Sequence, residues 1–229
     1  MFGMPMYRKV NKNFFKTWTP EMAYVLGFFA ADGYITVNRR GGQFWSIQIV
    51  DKELVENIRR IVASEHKITV RFGSGKERTS YRLQIGSIEM CNDLRRLGMR
   101  ERKTRSLVVP NIPDNYFSDF VRGYFDGDGN VWKGLLHKDR KKRTFAIYVM
   151  FTSCSFKFLK LIHLKLQERG LRGGSIYRAK GNYFRLLFSS NDSMKLYEFM
   201  YNKSENGIFL ARKKVVFEKY VILKNAAVV

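Results

Sequence analysis

The sequence predicts an α+β protein made of two copies of one unit, each running helix, two strands, helix, two strands, helix (αββαββα). Three observations point there. The block Val25-Leu-Gly-Phe-Phe-Ala-Ala-Asp-Gly33 recurs 96 residues later as Val121-Arg-Gly-Tyr-Phe-Asp-Gly-Asp-Gly129, with five of nine positions identical. A second block, Tyr81-Arg-Leu-Gln-Ile-Gly-Ser87, recurs 103 residues later as Phe184-Arg-Leu-Leu-Phe-Ser-Ser190. Between them lie short segments whose apolar residues either alternate, as in half-buried strands, or return at helical spacing. Two blocks in the same order identify a duplication, whereas a solenoid would have shorter and more numerous copies.

Each element of the first copy has a local reason. Thr19-Pro20-Glu21 supplies an N-cap, a proline for the first helical position and an acid for the first turn, and Gly33 ends that helix. Strands are expected at about 34–40 and 43–50, joined by the hairpin signal Gly41-Gly42. Glu53–Val62 then places Leu54, Val55, Ile58, Ile61 and Val62 on one helical stripe. A second hairpin spans about 68–86 around Gly73-Ser74-Gly75, and a helix near 88–97 closes the unit. Ser106–Asn115 holds two of the four prolines and reads as a linker, which divides the chain into 1–105, 106–115 and 116–229. The second copy carries about seven extra residues, expected in the basic loop around Gly134–Arg143, where a surface insertion is tolerated.

Composition bounds the function. Lys and Arg number 42 against 20 Asp and Glu, a net charge of +22 that self-repels and is best matched by an extended polyanion. At 45% hydrophobic the chain can bury a core, which excludes global disorder. Nineteen Phe and twelve Tyr, with basic residues scattered among apolar ones, argue for a folded binding surface rather than a basic tail. There is no run of eighteen apolar residues and no apolar secretory leader, so neither a membrane span nor secretion is expected. Cys91 and Cys154 are too few for a disulfide framework, which points to a reducing, intracellular compartment.

The strand pattern suggests what the surface meets. Arg78, Ser80, Arg82 and Gln84 share one face of their strand, and Thr79, Tyr81, Leu83 and Ile85 the other. In the second copy Tyr183, Arg185 and Leu187 oppose Phe184, Leu186 and Phe188. Arg39, Ser46 and Gln48 extend the polar set. An ordinary solvated face would mix Glu with Lys, yet these strands hold almost no acids, so a DNA-facing sheet is favoured. The wider candidate set for DNA adds Arg40, Gln43, Arg71, Lys138, Arg140, Arg143, Arg178 and Lys180.

The repeated block carries the chemistry. Small residues four apart, Gly27/Ala31 and Gly123/Gly127, allow two helix backbones to approach closely. Packed together, the two copies bring Asp32 and Asp128 side by side at helix C-termini, where the macrodipole disfavours a carboxylate and the two charges repel. A divalent cation would offset both penalties, with helix-end carbonyls such as those of Ala31 and Gly127 as further oxygen ligands.

In these two blocks the sequence resembles the LAGLIDADG homing endonucleases, specifically the branch with both motifs in one chain, over residues 18–225. The resemblance implies a pseudo-twofold fold with the motif helices at the centre and two antiparallel sheets forming a saddle over DNA. It implies Mg²⁺-dependent cleavage of both strands of a long asymmetric target by a monomer, leaving short 3′ overhangs. Mn²⁺ would substitute, and Ca²⁺ would support binding without cleavage. Asp32 and Asp128 take the place of the catalytic, metal-binding acids. Ala30 departs from the pattern at the earlier acid, which Asp126 retains, but that position is not the metal-binding one. A basic residue late in each repeat corresponds to Lys103 and to Lys213, with Lys214 close behind. A water-positioning side chain corresponds to Gln48 or Asp51 in the first half, and to Thr152, Ser153 or Ser155 in the second. The rival readings are an intron-encoded RNA maturase and a non-catalytic DNA-binding regulator on the same fold. The regulator would be expected to lose acids and gain a helix-turn-helix, and neither is seen. His66, His137 and His163 lie too far apart in sequence to support a zinc or HNH-type nuclease, and Cys154 reads as core.

Overall fold

A computed structural model describes residues 8–75, 77–136, 144–202 and 207–226. Lys138, Arg140 and Arg143 of the basic loop lie outside the described residues. The first copy runs α1 (Pro20–Asp32), β1 (Gly33–Val37), β2 (Gln43–Ile49), α2 (Lys52–Ile61), β3 (Ile68–Arg71), β4 (Ser80–Gly86) and α3 (Ile88–Arg96). After a short 3₁₀ turn, the second runs α4 (Phe117–Asp128), β5 (Gly129–Leu136), β6 (Thr144–Ser153), α5 (Phe156–Gln167), β7 (Ser175–Arg178), β8 (Phe184–Phe188) and α6 (Ser190–Tyr201). A further helix, α7 (Ala211–Ala226), has no counterpart in the first copy. Each copy forms a four-stranded antiparallel sheet, in the orders β1-β2-β4-β3 and β5-β6-β8-β7. None of the described helices is long and apolar enough to cross a membrane.

Local signals explain the starts and stops. The Thr19 hydroxyl accepts from the Met22 amide at 3.1 Å, so the predicted cap opens α1. Strand β1 stops at Val37, short of the expected 40, because the Asn38 carboxamide oxygen accepts from the Arg40 and Gly42 amides and folds a turn, with Gly41 at φ 79°. Arg39 and Arg40 therefore sit in an exposed turn. The first two strands of the second copy are longer than those of the first. Strand β5 has 8 residues against 5 in β1, and β6 has 10 against 7 in β2.

Gly33 and Gly129 do not end their helices in the left-handed conformation that glycine usually supplies there. Both are extended, at φ −88° and −87°. Glycine is required by space: a methyl group at either would overlap the ring of Phe29 or Phe125. The chain thus passes from each motif helix straight into its first strand.

The two motif helices pack backbone to backbone. A methyl group on Gly27 would overlap the Phe120 carbonyl, and one on Gly123 would overlap the Tyr24 carbonyl. Each glycine thus makes room for the other helix five residues before its own acid-bearing end. Around this seam one core runs through both copies, from Phe15, Trp45 and Ile85 through Phe28 and Tyr124 to Phe151 and Phe188. The connecting segment joins it: Leu107 and Ile112 are buried, and the Ser155 hydroxyl donates to the Leu107 carbonyl at 2.7 Å.

Candidate active site

The close helix seam puts Asp32 and Asp128 at neighbouring helix ends. A methyl on Gly127 would overlap the Ala31 side chain and lie 3.2 Å from an Asp32 carboxylate oxygen. Asp32 is half-buried and Asp128 opens to solvent. Loss of hydration pushes the Asp32 carboxyl up to about 6, and the negative charge of Asp128 adds to the rise. Desolvation raises Asp128 as well, while Lys213, Lys103 and the Tyr124 hydroxyl hold it down.

A buried lysine stands at each helix end. Lys103 donates to the Gly33 carbonyl from a run of turns after α3, just past Arg102 at φ 55°. Lys213, in the first turn of α7, donates to the carbonyls of Phe125 at 2.6 Å, Asp126 at 2.8 Å and Gly129 at 2.6 Å. Both ammonium groups complement the negative ends of the helix dipoles. Burial lowers each to about 8, against the pull of the nearby carboxylates. Among carboxylates Asp128 acts most strongly on Lys103 and Asp126 on Lys213, while both Asp32 and Asp128 feel Lys213 before Lys103. A cleft of about 350 Å³ opens there, lined by Lys103, Asp128, Tyr124, Thr152, Ser153 and Tyr183, among others.

Strand register gives two of the water-positioning candidates equivalent places. Gly33 pairs with Ile47 and Gly129 with Phe151, so Gln48 and Thr152 occupy equivalent places, one step past each helix end. The Gln48 amide donates to the Ser80 hydroxyl at 2.9 Å. Asp51 is drawn away: Arg212 grips it with two bonds of 2.9 and 3.0 Å, joining α7 to the first half. Ser155 caps α5, accepting from the Phe158 amide at 3.2 Å, and the Ser153 hydroxyl accepts from the Ser155 amide at 3.1 Å. The Lys214 ammonium instead lies over the Phe209 ring, 4.5 Å from its centre.

The structure separates the candidate DNA-contacting residues by face. Thr69, Arg71, Ser80, Arg82, Gln48 and Gln84 share the face turned away from α2 and α3, as do Tyr34 and Phe44. Arg78 is exposed in the loop before β4. Two expectations fail here. Ser46 has this register but is fully buried between Tyr34 and Gln84, its neighbours across the ladder. Gln43 has the opposite register and accepts from Arg95 of α3 at 2.7 Å, so it faces the helices. In the second sheet Arg185 and Tyr183 lie on the outer face, the guanidinium 5.3 Å from the Tyr183 ring centre. Arg178 is exposed, but its register partner is Phe184 and it belongs to the helix-facing set at a strand end. Lys180 is exposed in the turn that follows.

Three side chains gain a role that the sequence reading missed. The Tyr124 hydroxyl donates to the Thr152 carbonyl at 2.7 Å, inside the cleft beside Asp128. Its counterpart Phe28 has no hydroxyl, and that difference within the repeat was the available signal. Asp126 accepts from the Tyr24 hydroxyl at 2.7 Å and the Leu210 amide at 2.8 Å, and burial pushes its carboxyl up to about 6. It ties the approach to α7 against the helix seam. Buried Arg122 does the same, donating to Asp119 and the Met200 carbonyl at 2.7 Å each and to the Ile208 carbonyl at 3.1 Å.

Residues 19–98 match the family model described as LAGLIDADG-like domain. Over 183 residues the chain is 22% identical to the uncharacterized protein MJ0398 of Methanocaldococcus jannaschii, covering 77% of this chain and 64% of that protein's length. Among solved structures it is similar to I-SmaMI bound to an uncleaved DNA target in the presence of calcium ions: TM-score 0.60, 15% identity, 92% of this chain and 93% of that one. It is also similar to I-SmaMI bound to cleaved DNA, at 0.60, 16%, 92% and 91%. The LAGLIDADG meganuclease I-AabMI on uncleaved DNA gives 0.61, 16%, 92% and 93%. Residues 19–98 thus form a LAGLIDADG-like domain, and the chain as a whole has the two-domain fold of the single-chain LAGLIDADG homing endonucleases.

Proposed function

We propose that the chain is a monomeric, intracellular DNA endonuclease that makes a double-strand break at a long asymmetric target and leaves short 3′ overhangs. One observation carries this reading. Two carboxylates meet at adjacent helix C-termini, each beside a buried lysine, with a four-stranded sheet leading away from each helix end. Such an arrangement is unfavourable for stability alone.

The donor set fits a hard divalent cation such as Mg²⁺, with Mn²⁺ as a substitute. Among the described residues no three His, Cys, Asp or Glu gather to hold a metal. The protein would supply Asp32, Asp128 and the carbonyls of Ala31 and Gly127, leaving room for substrate oxygens and water. Bound there, the cation supplies Lewis acidity toward a phosphoryl oxygen. Asp32 and Asp128 would hold that cation where the scissile phosphates of the two strands approach the helix ends. Lys103 and Lys213 neutralise charge that grows on each phosphate in the transition state. Gln48 and Thr152, at equivalent register, hold water near the two helix ends. The outer faces of the sheets lie against base edges in the major groove and set the target.

The test is cleavage of a randomised duplex library with Mg²⁺, Ca²⁺ or chelator. Cutting of both strands in Mg²⁺, binding alone in Ca²⁺ and no cutting with chelator are expected. Binding without cutting in Mg²⁺ would leave a DNA-binding regulator. Preference for structured RNA over duplex DNA would leave a maturase.

A further inference from the structure

The two sheets offer chemically different surfaces to whatever lies across them. Their starts are equivalent, since β1 and β5 each leave the end of a motif helix without a break. The outer face of the first sheet carries Arg71, Arg82, Gln48 and Gln84. At the matching register of the second sheet stand Trp132 opposite Tyr148, Met150 opposite Leu187, and Tyr177 opposite Arg185, with Asn130, Thr152 and Ser175 as smaller polar members. Among the described residues of that register Arg185 is the one charged side chain. Trp132 is 46% exposed and Tyr177 40%, large values for aromatic rings on a sheet face. Trp132 and Tyr148 stack with ring centres 5.8 Å apart, and the Tyr177 hydroxyl donates to the Met150 sulfur at 3.8 Å, so aromatic rings and a thioether share this face.

That surface offers fewer charged and carboxamide groups to base edges than the first sheet does, and covering their donors and acceptors with its ring faces, Met150 and Leu187 carries a desolvation cost. Only one group on a major-groove edge is apolar, the 5-methyl of thymine. The net charge of +22 opposes a second copy of this chain as the occupant and favours a polyanion. The patch is also the direct counterpart of the arginine-bearing face across the helix seam. We infer that the second sheet recognises its half of the target through thymine methyl groups, while the first sheet reads its half through hydrogen bonds. This rests on the DNA-cleaving function proposed above and specifies its substrate.

The experiment uses the unaltered protein and a duplex selected from a randomised library for binding in Ca²⁺. The selected duplex is remade with deoxyuridine in place of thymidine in one half at a time, which removes only methyl groups. Substitution in one half is expected to weaken binding about fourfold per contacted methyl, and substitution in the other to change it little. Met150→Gln, at a partly exposed position, should remove the sensitivity of that half, with folding checked by its melting transition. Equal sensitivity of both halves, insensitivity of both, or sensitivity unchanged in a folded Met150→Gln would overturn the inference. So would a stable dimer in the absence of DNA that Trp132→Arg dissociates. Loss of the proposed function looks different, because no duplex would then be selected or none would be cut in Mg²⁺.

Discussion

The Tyr24 hydroxyl of the first motif helix donates to the Asp126 carboxylate of the second, 2.7 Å away in a fully buried seam. This bond joins the two halves through a charge that protein, not water, must solvate. Tyr24→Phe should cost about 1–3 kcal/mol of stability, measured by denaturant unfolding. The loss should depend on pH. Burial raises the Asp126 carboxyl to about 6 from an ordinary 3.8, so the folded state binds the proton more tightly than the unfolded state. Its unfavourable contribution is full above pH 6, fades as the pH falls from 6 toward 3.8 and is gone below that. The variant should therefore suffer more at pH 8 than at pH 5, and equal losses would show that the bond does not solvate a charge.

Replacing Gly27 or Gly123 with alanine should test the helix seam. In an exposed helix interior this change stabilises by about 1 kcal/mol. Here the new methyl meets a backbone carbonyl of the partner helix, which cannot rotate away. A loss of about 3 kcal/mol or more is expected. Melting at or above the parent temperature would mean that the helices are farther apart.

Asp32→Asn and Asp128→Asn should abolish double-strand cutting while leaving DNA binding intact, as read by gel shift alongside a cleavage assay. Asp32→Asn should also raise the metal-free melting temperature at pH 7. The Asp32 carboxyl sits at about 6, so at neutral pH its ionised form opposes folding, and that penalty disappears below 3.8. Stabilisation at pH 7 that vanishes by pH 3.5 is the signature. Full cutting by either variant would remove these acids from the proposed site.

The two lysines should differ in structural weight. Lys213 serves three carbonyls at 2.8 Å or less, whereas among the described residues Lys103 donates to the Gly33 carbonyl alone. Lys213→Met should be the more destabilised by about 1–3 kcal/mol, by thermal or urea unfolding. The reverse order would place the functional emphasis on Lys103.

Binding to the selected duplex should weaken with salt. If about ten phosphates are neutralised, the log–log slope is near −9. A slope near −2 would mean that the charge serves solubility.

Much of the fold was legible because the repeat states it twice. Val25–Gly33 and Val121–Gly129 placed the paired helices, and the alternation at 78–85 placed β4 with its polar face outward. Faces were harder to assign where both sides of a strand are apolar or polar. In β2 the run Phe44-Trp45-Ser46-Ile47 gives no clean alternation, and Gln43 and Ser46 were grouped although the pleat sends them to opposite sides. Exposure was equally hidden, since Ser46 is covered by tertiary neighbours. The role of Tyr124 rests on a backbone acceptor, the Thr152 carbonyl, and a sequence displays no such partner. Asp51 was a candidate for the active site until its bond to Arg212, a contact 161 residues distant, took it elsewhere.

The connecting segment has a consequence for engineering. Leu107 is buried, and its carbonyl is held by Ser155 of the second half, so the segment between the halves is seated rather than slack. A longer tether inserted after residue 112 would not by itself loosen the pair of sheets. A chimera that grafts another first half onto this second half should cross over before Leu107, because that side chain and its carbonyl belong to the socket they fill.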